Sequence, residues 1–390
     1  MKKWINIQLA STDQCTGCAA CASVCPTNSI TMREDNEGFL QPHIDAETCV
    51  NCHKCEKTCP IITPIEISTD FETQVYAAIN KDEEVRMKSS SGGMFHALAK
   101  WTIEQGGVVF GAGFEGIHLK QQYVESLDEL AILMGSKYIQ SDVADSYKQA
   151  KTFLKEDRWV LYSGTPCQIA GLKRFLGKDY EKLVTVDLIC RGVPSPRIFE
   201  SYIKRLQTKI QAQDIKNISF RYNIDYYFNL SYKDKNGFWR QYKDACNKNP
   251  YFSYFLRCIF RASCYQCQYR SIDASYADFT IGDCWTAEKN HPQIADGKGV
   301  SSVVIHTEKA GTLFEDLKGT LKWDAENISN IKERYESHVS RATNEGETRN
   351  WRLANRLAQY LPLEYMRGIY MHDRFIIRVQ RKLRKLIIKK

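Results

Sequence analysis

No stretch of the 390 residues approaches the roughly 18 to 20 consecutive apolar positions that a membrane-spanning helix needs. The first apolar run, residues 4–10, is broken by Asn6 and Gln8. It does not read as an export signal either, because Asp13 and a cysteine motif follow at once with no small-residue cleavage site. Collagen-like, heptad and low-complexity patterns are missing, which excludes triple helix, coiled coil and disorder as the plan of the chain. Cysteine, at 15 copies, is too sparse for a disulfide scaffold, where it would exceed about 8% of a short secreted chain. It is also too frequent for packing alone. What remains is an ordinary globular composition, 43% hydrophobic and 26% charged, long enough for two domains. Abundant thiols without an export signal point to the cytoplasm and to metal or redox chemistry.

The net charge of +8 is unevenly placed. Arg374, Arg378, Arg381, Lys382, Arg384, Lys385, Lys389 and Lys390 supply eight positive charges with no acid among them, which leaves the rest of the chain neutral. The basic balance therefore gives no ground for nucleic-acid binding. Phe375, Ile376, Val379, Leu383 and Leu386 fall at helical spacing opposite the basic residues. A helical, basic tail over residues 331–390 suits peripheral contact with the inner membrane surface, packing on its own domain, or an acidic redox partner.

Eight cysteines form two copies of one pattern, Cys15-x2-Cys18-x2-Cys21-x3-Cys25-Pro26 and Cys49-x2-Cys52-x2-Cys55-x3-Cys59-Pro60. Three cysteines spaced by two residues wrap three corners of a [4Fe-4S] cube, and the cysteine before proline reaches across to the other cluster. One cluster is thereby assigned Cys15, Cys18, Cys21 and Cys59, and the other Cys49, Cys52, Cys55 and Cys25. Zinc knuckles would use CxxC pairs rather than two triplets. Gly17 would let backbone amides approach inorganic sulfide. His53, read as its counterpart in the second loop, marks a departure that bears on that cluster's potential or exposure, and otherwise reads as an exposed bystander. Residues 1–62 are read as a two-cluster ferredoxin-type α+β domain, an electron wire, and residues 63–75 as an extended linker.

Residues 76–330 alternate helical and apolar-strand patterns, which predicts an α/β core with a largely buried sheet. Strands are predicted at 108–110, 159–162, 184–189, 218–222, 278–281 and 300–306, and helices at 94–105, 168–176 and 196–207. Ser195 is the predicted N-cap of the last helix, with Pro196 at its first position. Cys167 and Cys190 follow two of these strands, where ligands of open α/β sheets collect. With the pair Cys264 and Cys267 they could hold a third [4Fe-4S] cluster. A redox-active pair, a zinc site and buried thiols are the alternatives, and Cys284 could stand in for Cys167. Cys246 and Cys258 read as ordinary.

An electron wire commonly feeds a flavin, which converts single electrons into hydride chemistry. Ser89-Ser90-Ser91-Gly92-Gly93 precedes a predicted helix and suits a phosphate, or else is a plain serine cap. Gly111-Ala112-Gly113-Phe114-Glu115-Gly116 satisfies GxGxxG, but a second strand follows instead of a helix, so the glycines are predicted to form a hairpin connection.

These segments, with Gly135-Ser136-Lys137-Tyr138, Ser163-Gly164-Thr165-Pro166-Cys167-Gln168, Asp187-Leu188-Ile189-Cys190-Arg191-Gly192, Ser263-Cys264-Tyr265-Gln266-Cys267 and Ile281-Gly282-Asp283-Cys284-Trp285, resemble the coenzyme F-420 hydrogenase/dehydrogenase beta-subunit family. The resemblance spans roughly residues 10 to 310. It implies an iron-sulfur flavoprotein with FAD held by Ser90, Ser91, Gly92, Gly93, Ser136, Lys137 and Tyr138. Relatives reduce a deazaflavin or chlorophyll-type pigments, and many bacterial members are associated with surface-polysaccharide biosynthesis. Two positions depart from the family's pattern: Arg191 replaces a usual histidine, and Cys284 an aromatic. A fixed cation at Arg191 would bind an anionic substrate or stabilise reduced flavin, and Lys137, Tyr138 and Asp283 become the candidate proton donors.

The resulting expectation is an oxidoreductase passing electrons between [4Fe-4S] clusters and FAD to or from a small organic acceptor, with ferredoxin or another electron-transfer protein as partner. The rivals are a relay subunit of a larger hydrogenase or dehydrogenase complex, and a non-enzymatic, metal-stabilised membrane-recruitment module.

Overall fold

The computed structural model describes residues 5–67, 70–222, 224–255, 260–273, 275–339, 352 and 355–363. The basic segment from Arg374 onwards, and with it the membrane-contact expectation, lies outside the described residues, as does Cys258. Among the described residues no helix is long and apolar enough to cross a membrane.

The amino-terminal unit contains an antiparallel hairpin of β1 (Ile30–Glu34) and β2 (Leu40–Ile44). After it come β3 (Gln74–Asn80), β4 (Val108–Glu115), β5 (His118–Val124), β6 (Val160–Gly164) and β7 (Leu183–Leu188). Then follow β8 (Asp214–Tyr222), β9 (Asp225–Lys233), β10 (Trp239–Ala245), β11 (Phe279–Asp283), β12 (Ser301–Ile305) and β13 (Leu321–Ala325). Eight strands build one sheet in the order β13-β3-β12-β11-β7-β6-β4-β5, and β8 to β10 form a separate antiparallel sheet. Strands β4, β6, β7 and β11 run parallel, and the flanking strands are antiparallel.

The parallel centre is buried on both faces, which is why its strands read as continuous apolar runs. Leu161, Val184, Val186 and Phe279 pack on one face, and Val160, Tyr162 and Leu183 on the other. The predicted strand at 218–222 is the end of β8 and belongs to the smaller sheet. Phe220, Phe228 and Leu230 of that sheet pack with Phe199 and Ile203 of the helix Pro196–Lys209.

Helix Pro166–Leu176 starts two residues before the predicted position. Proline suits its first turn, Thr165 and Gln168 cap it reciprocally, and Gly177 at φ 73° ends it. Ser195 occupies the predicted N-cap position with Pro196 after it, but its hydroxyl makes no cap bond. It donates instead to the Glu37 carbonyl at 2.6 Å, tying this helix to the turn of the amino-terminal hairpin. In the GxGxxG segment, Gly111 and Gly113 lie within β4. Only Gly116, at φ 61°, is in the connection to β5, whose register pairs Glu115 with His118.

Candidate functional site

Each cysteine triplet closes into a short helix, Ala20–Val24 and Lys54–Thr58. Each helix is entered through a left-handed residue, Ala19 at φ 57° and His53 at φ 56°. The counterpart of Gly17 (φ 70°) is Asn51 (φ 51°), so His53 corresponds to Ala19, which corrects the correspondence drawn from the sequence. Glycine and, less easily, asparagine are the residues that reach this region without large cost. His53 pairs with Glu56 one turn on. The charges of Cys15 and Cys59 are felt at both Cys18 and Cys21, while Cys25, Cys49, Cys52 and Cys55 border one small cavity. The structure thus gathers the thiols into the two crossed sets. Burial pushes Cys18 up to about 12 and Cys55 to about 11. Four sulfur donors in each set, three from one loop and one before the proline of the other, fit [4Fe-4S] clusters.

The inner set is pressed against the core. Arg261, only 1% exposed, donates to the carbonyls of Cys15 (2.7 Å) and Leu40 (2.9 Å) and to Gln140 Oε1 (3.1 Å). Gln140 Nε2 in turn donates to the Thr16 carbonyl at 2.9 Å. Gly171, in helix Pro166–Leu176, provides the close approach: a Cβ there would lie 2.9 Å from both Cys18 Cβ and Tyr147 Oη. Four residues earlier on this helix stands Cys167, about 6 Å away along the axis. Tyr147 and Tyr269 each feel the charges of both Cys18 and Cys167, so both rings lie close to the two groups of thiols.

Cys167 follows β6, Cys190 follows β7, and Cys264 and Cys267 sit in and just after the 3-10 turn Ala262–Gln266. The charges of Cys267, Cys190 and Cys264 are all felt at Cys167. Burial pushes Cys190 up to about 12 and Cys264 to about 11, with Arg270 opposing the shift at both. Arg270 also donates to the carbonyls of Cys264 and, at 2.7 Å, Arg191. Four half-buried thiols beside a guanidinium fit a third [4Fe-4S] cluster, whose thiolate-ligated cube carries negative charge. Cys284 lies apart, near Thr286 and Glu326, and Cys246 packs against the aromatic core. Sequence reasoning did not single out Arg270 or Arg261. Their only local signal was proximity to the CxxC pair.

Cys190 and Arg191 also border a cavity of about 520 Å³, within the roughly 300–1,000 Å³ typical of small-molecule sites. Ser89, Ser90, Ser91 and Gly93 line it at the start of helix Met94–Glu104, and Ser136, Lys137 and Tyr138 line it from the loop after β5. Ser90 Oγ accepts from the Ser136 amide at 2.8 Å, joining the two segments. Gly92 is turned towards the sheet, where a Cβ would clash with the Ala78 carbonyl at 2.2 Å. Lys137 Nζ donates to the carbonyls of Ile132, Leu133 and Met134. Burial lowers Lys137 to about 7, against three acceptors that favour the ammonium form. Tyr138 stacks on Phe255 with centroids 4.5 Å apart, and burial raises its pKa.

Arg221, 8% exposed, was not anticipated from the sequence. It bridges Asp283 (2.8 Å) and Tyr138 Oη (3.3 Å) and lies over the Tyr226 ring. Tyr226 in turn faces Trp285 in parallel, with centroids 6.4 Å apart. The Arg191 guanidinium lies 5.4 Å over Phe255. Serine hydroxyls and a helix start, together with the aromatic rings of Tyr138, Tyr226, Phe255 and Trp285 and the cation of Arg191 on the same cavity, fit a flavin nucleotide.

Comparison with known proteins follows the same division. Residues 14–61 match the 4Fe-4S dicluster domain, and residues 157–330 match the family described as the C terminus of the coenzyme F420 hydrogenase/dehydrogenase beta subunit. The chain is 24% identical over 359 residues to the coenzyme F420-dependent sulfite reductase of Methanocaldococcus jannaschii, covering 90% of this chain and 53% of that protein. It thus spans about half the length of that relative. It is 21% identical over 322 residues to an F(420)H(2) dehydrogenase subunit of Methanosarcina mazei, covering 80% of this chain and 84% of the relative. Residues 14–61 thus resemble a 4Fe-4S dicluster domain and residues 157–330 the C terminus of the coenzyme F420 hydrogenase/dehydrogenase beta subunit, and the relatives named for their activity are oxidoreductases or their subunits.

Proposed function

We propose that the chain is an iron-sulfur flavoprotein that exchanges electrons between a protein partner at its surface and a small organic acceptor at its cavity. The observations that support this reading are Cys167 standing one helical turn before Gly171, which meets Cys18, the closeness of Cys167 to Cys190, Cys264 and Cys267, and Cys190 lining the cavity. In this reading electrons pass from the outer set, which contains the exposed Cys52, to the inner set against Gly171 and on to the core set.

A flavin in the cavity would supply the exchange of single electrons for a hydride. Ser90, Ser91, Ser136 and the start of helix Met94–Glu104 would hold its phosphates. Gly93 at φ 88° shapes that turn, and Gly92 lets it lie on the sheet. Lys137 fixes the loop by capping the carbonyls of residues 132–134, and Arg221 orients Tyr138 and Asp283 towards the cavity. Arg191 is placed to bind an anionic group of the acceptor, because a guanidinium stays charged at any working pH.

Anaerobic purification followed by iron and flavin assays tests the proposal. Three clusters give about twelve iron per chain and two give about eight, at four iron per cluster. Absence of bound flavin after anaerobic reconstitution with FAD would overturn the flavoprotein reading. The exposed Cys52 also suits a relay subunit that takes electrons from a larger complex. Flavin reduced by ferredoxin but unreactive towards every small acceptor, F420 included, would favour that second reading.

A further inference from the structure

Away from the cysteine sets, Cys284, His291 and Glu326 bring a thiol, an imidazole and a carboxylate within 4.8 Å of one another. Three separate stretches deliver them. Cys284 directly follows β11 and its amide donates to the Val300 carbonyl at 2.9 Å. His291 closes the short helix Ala287–Asn290, and Glu326 follows β13 with its amide on the Val75 carbonyl at 2.9 Å. The site is closed to solvent: Cys284 is 8% exposed, His291 2%, and the Glu326 side chain 2%. Ala77, Ile79, Ala287, Ile294 and Val300 pack with Cys284.

The hydrogen bonds aim all three groups at a common point. Glu326 Oε1 is taken by the Asn327 amide (2.8 Å) and Asn330 Nδ2 (2.7 Å), which leaves Oε2 turned to His291 Nε2 (2.8 Å) and Cys284 Sγ (3.7 Å). The far ring nitrogen, Nδ1, is held by Asp324 Oδ2 at 2.7 Å. A carboxylate on the outer nitrogen of an imidazole is the usual support of a metal-ligating histidine, since it fixes the tautomer and raises the basicity of the other nitrogen.

We propose that Cys284 Sγ, His291 Nε2 and Glu326 Oε2 bind a zinc ion, with Asp324 as the supporting carboxylate. One sulfur, one nitrogen and one oxygen donor suit zinc, which accepts all three and asks only for a near-tetrahedral arrangement. Binding displaces the protons of the Cys284 thiol and of His291 Nε2 and leaves Nδ1–H on Asp324. The fourth position falls to water or to the hydroxyl of Thr286, whose oxygen is 3.8 Å from Cys284 Sγ. Asp283 and Trp285, on either side of Cys284, line the large cavity, so the ion would pin that wall.

The test uses the anaerobically purified full chain from zinc-supplemented growth. Elemental analysis should find about one zinc per chain beside the iron, and absorption at the zinc edge should show a single sulfur at about 2.3 Å among nitrogen and oxygen neighbours. Cys284→Ser and His291→Gln should lose the zinc with iron unchanged, and Asp324→Asn should weaken it by about 10–100-fold. Zinc missing from the unmodified protein, or kept in both ligand variants, overturns the proposal. The second result would seat the metal among the iron-sulfur cysteines. Should the variants not fold, alkylation of the unmodified chain decides: Cys284 should be shielded until a chelator is added, and shielding indifferent to chelator refutes the site.

Discussion

The two halves of the cysteine repeat have the same spacing and nearly the same backbone, yet they occupy opposite surroundings. Ala19 and His53 enter their helices at φ 57° and 56°, and Cys25 and Cys59 leave them at φ −65° and −72°. The first triplet is packed on helix Pro166–Leu176 under the Arg261 clamp, with Cys18 buried against Gly171. The second carries the exposed Cys52, with Val50 beside it 54% exposed. Spacing therefore decides what each loop can bind, and docking decides which one faces the core and which one faces solvent.

Removing one set at a time breaks this comparison most sharply. Cys52→Ser and Cys18→Ser should each cost about four iron per chain. If the inner set alone adjoins the core, Cys18→Ser should abolish reduction of the cavity cofactor by every protein donor. Cys52→Ser should abolish it for partners docking at the outer set while small, diffusible reductants still work. A Cys18→Ser variant that still passes electrons from a protein donor to the cavity would refute the serial arrangement.

Next in size is the clamp. Arg261→Ala leaves the carbonyls of Cys15 and Leu40 and the amide oxygen of Gln140 without their donor, and each buried orphan costs about 1–3 kcal/mol. Anaerobic denaturant titration should show a loss of about 3 kcal/mol or more, with the amino-terminal unit released first. Proteolysis within residues 61–72 unchanged from the parent would sink this. Gly171→Val is a gentler wedge at the same interface, with an overpacking cost of about 1–3 kcal/mol. It should slow electron delivery to the cavity while iron content stays constant. An unaltered rate would show that the close approach at Gly171 is packing alone.

The mildest test concerns the sheet beneath the core thiols. Asp187 is buried and accepts from Ser275 (2.6 Å) and Thr280, and burial pushes it from 3.8 up to about 7. A carboxyl raised in the folded state adds stability below its unfolded value, and that stability is lost as pH rises through the folded one. Asp187→Asn escapes this loss. The Tm advantage of the variant should therefore grow from about pH 4 to about pH 7 and level off above. An advantage independent of pH would show that Asp187 keeps an ordinary pKa.

Much of the site was legible because its signals are local. The cysteine triplets, the capping of helix Pro166–Leu176 and the rejection of GxGxxG each rest on residues within a few positions of one another. The groups that sequence reasoning missed share the opposite property. Arg261 meets Cys15 across 246 positions, Arg221 meets Asp283 across 62, and Glu326 meets Cys284 across 42. An arginine in a sequence does not reveal whether it will end in solvent or under a cluster. Ser195 shows the same limit: its place before Pro196 announced a cap, yet a carbonyl from the amino-terminal hairpin took its hydroxyl.

The sequence by itself determined the kinds of site: two crossed thiol sets, strand-end cysteines, and a serine-rich turn before a helix. Donor type and short spacing dictate those wherever the chain folds. Only the tertiary structure decided their order, which set is inner, that Cys167 rather than Cys284 joins the core thiols, and which arginines stand beside them. Those outcomes depend on the packing of elements tens to hundreds of residues apart, where burial and the pairing of polar groups choose among arrangements that local chemistry leaves equal.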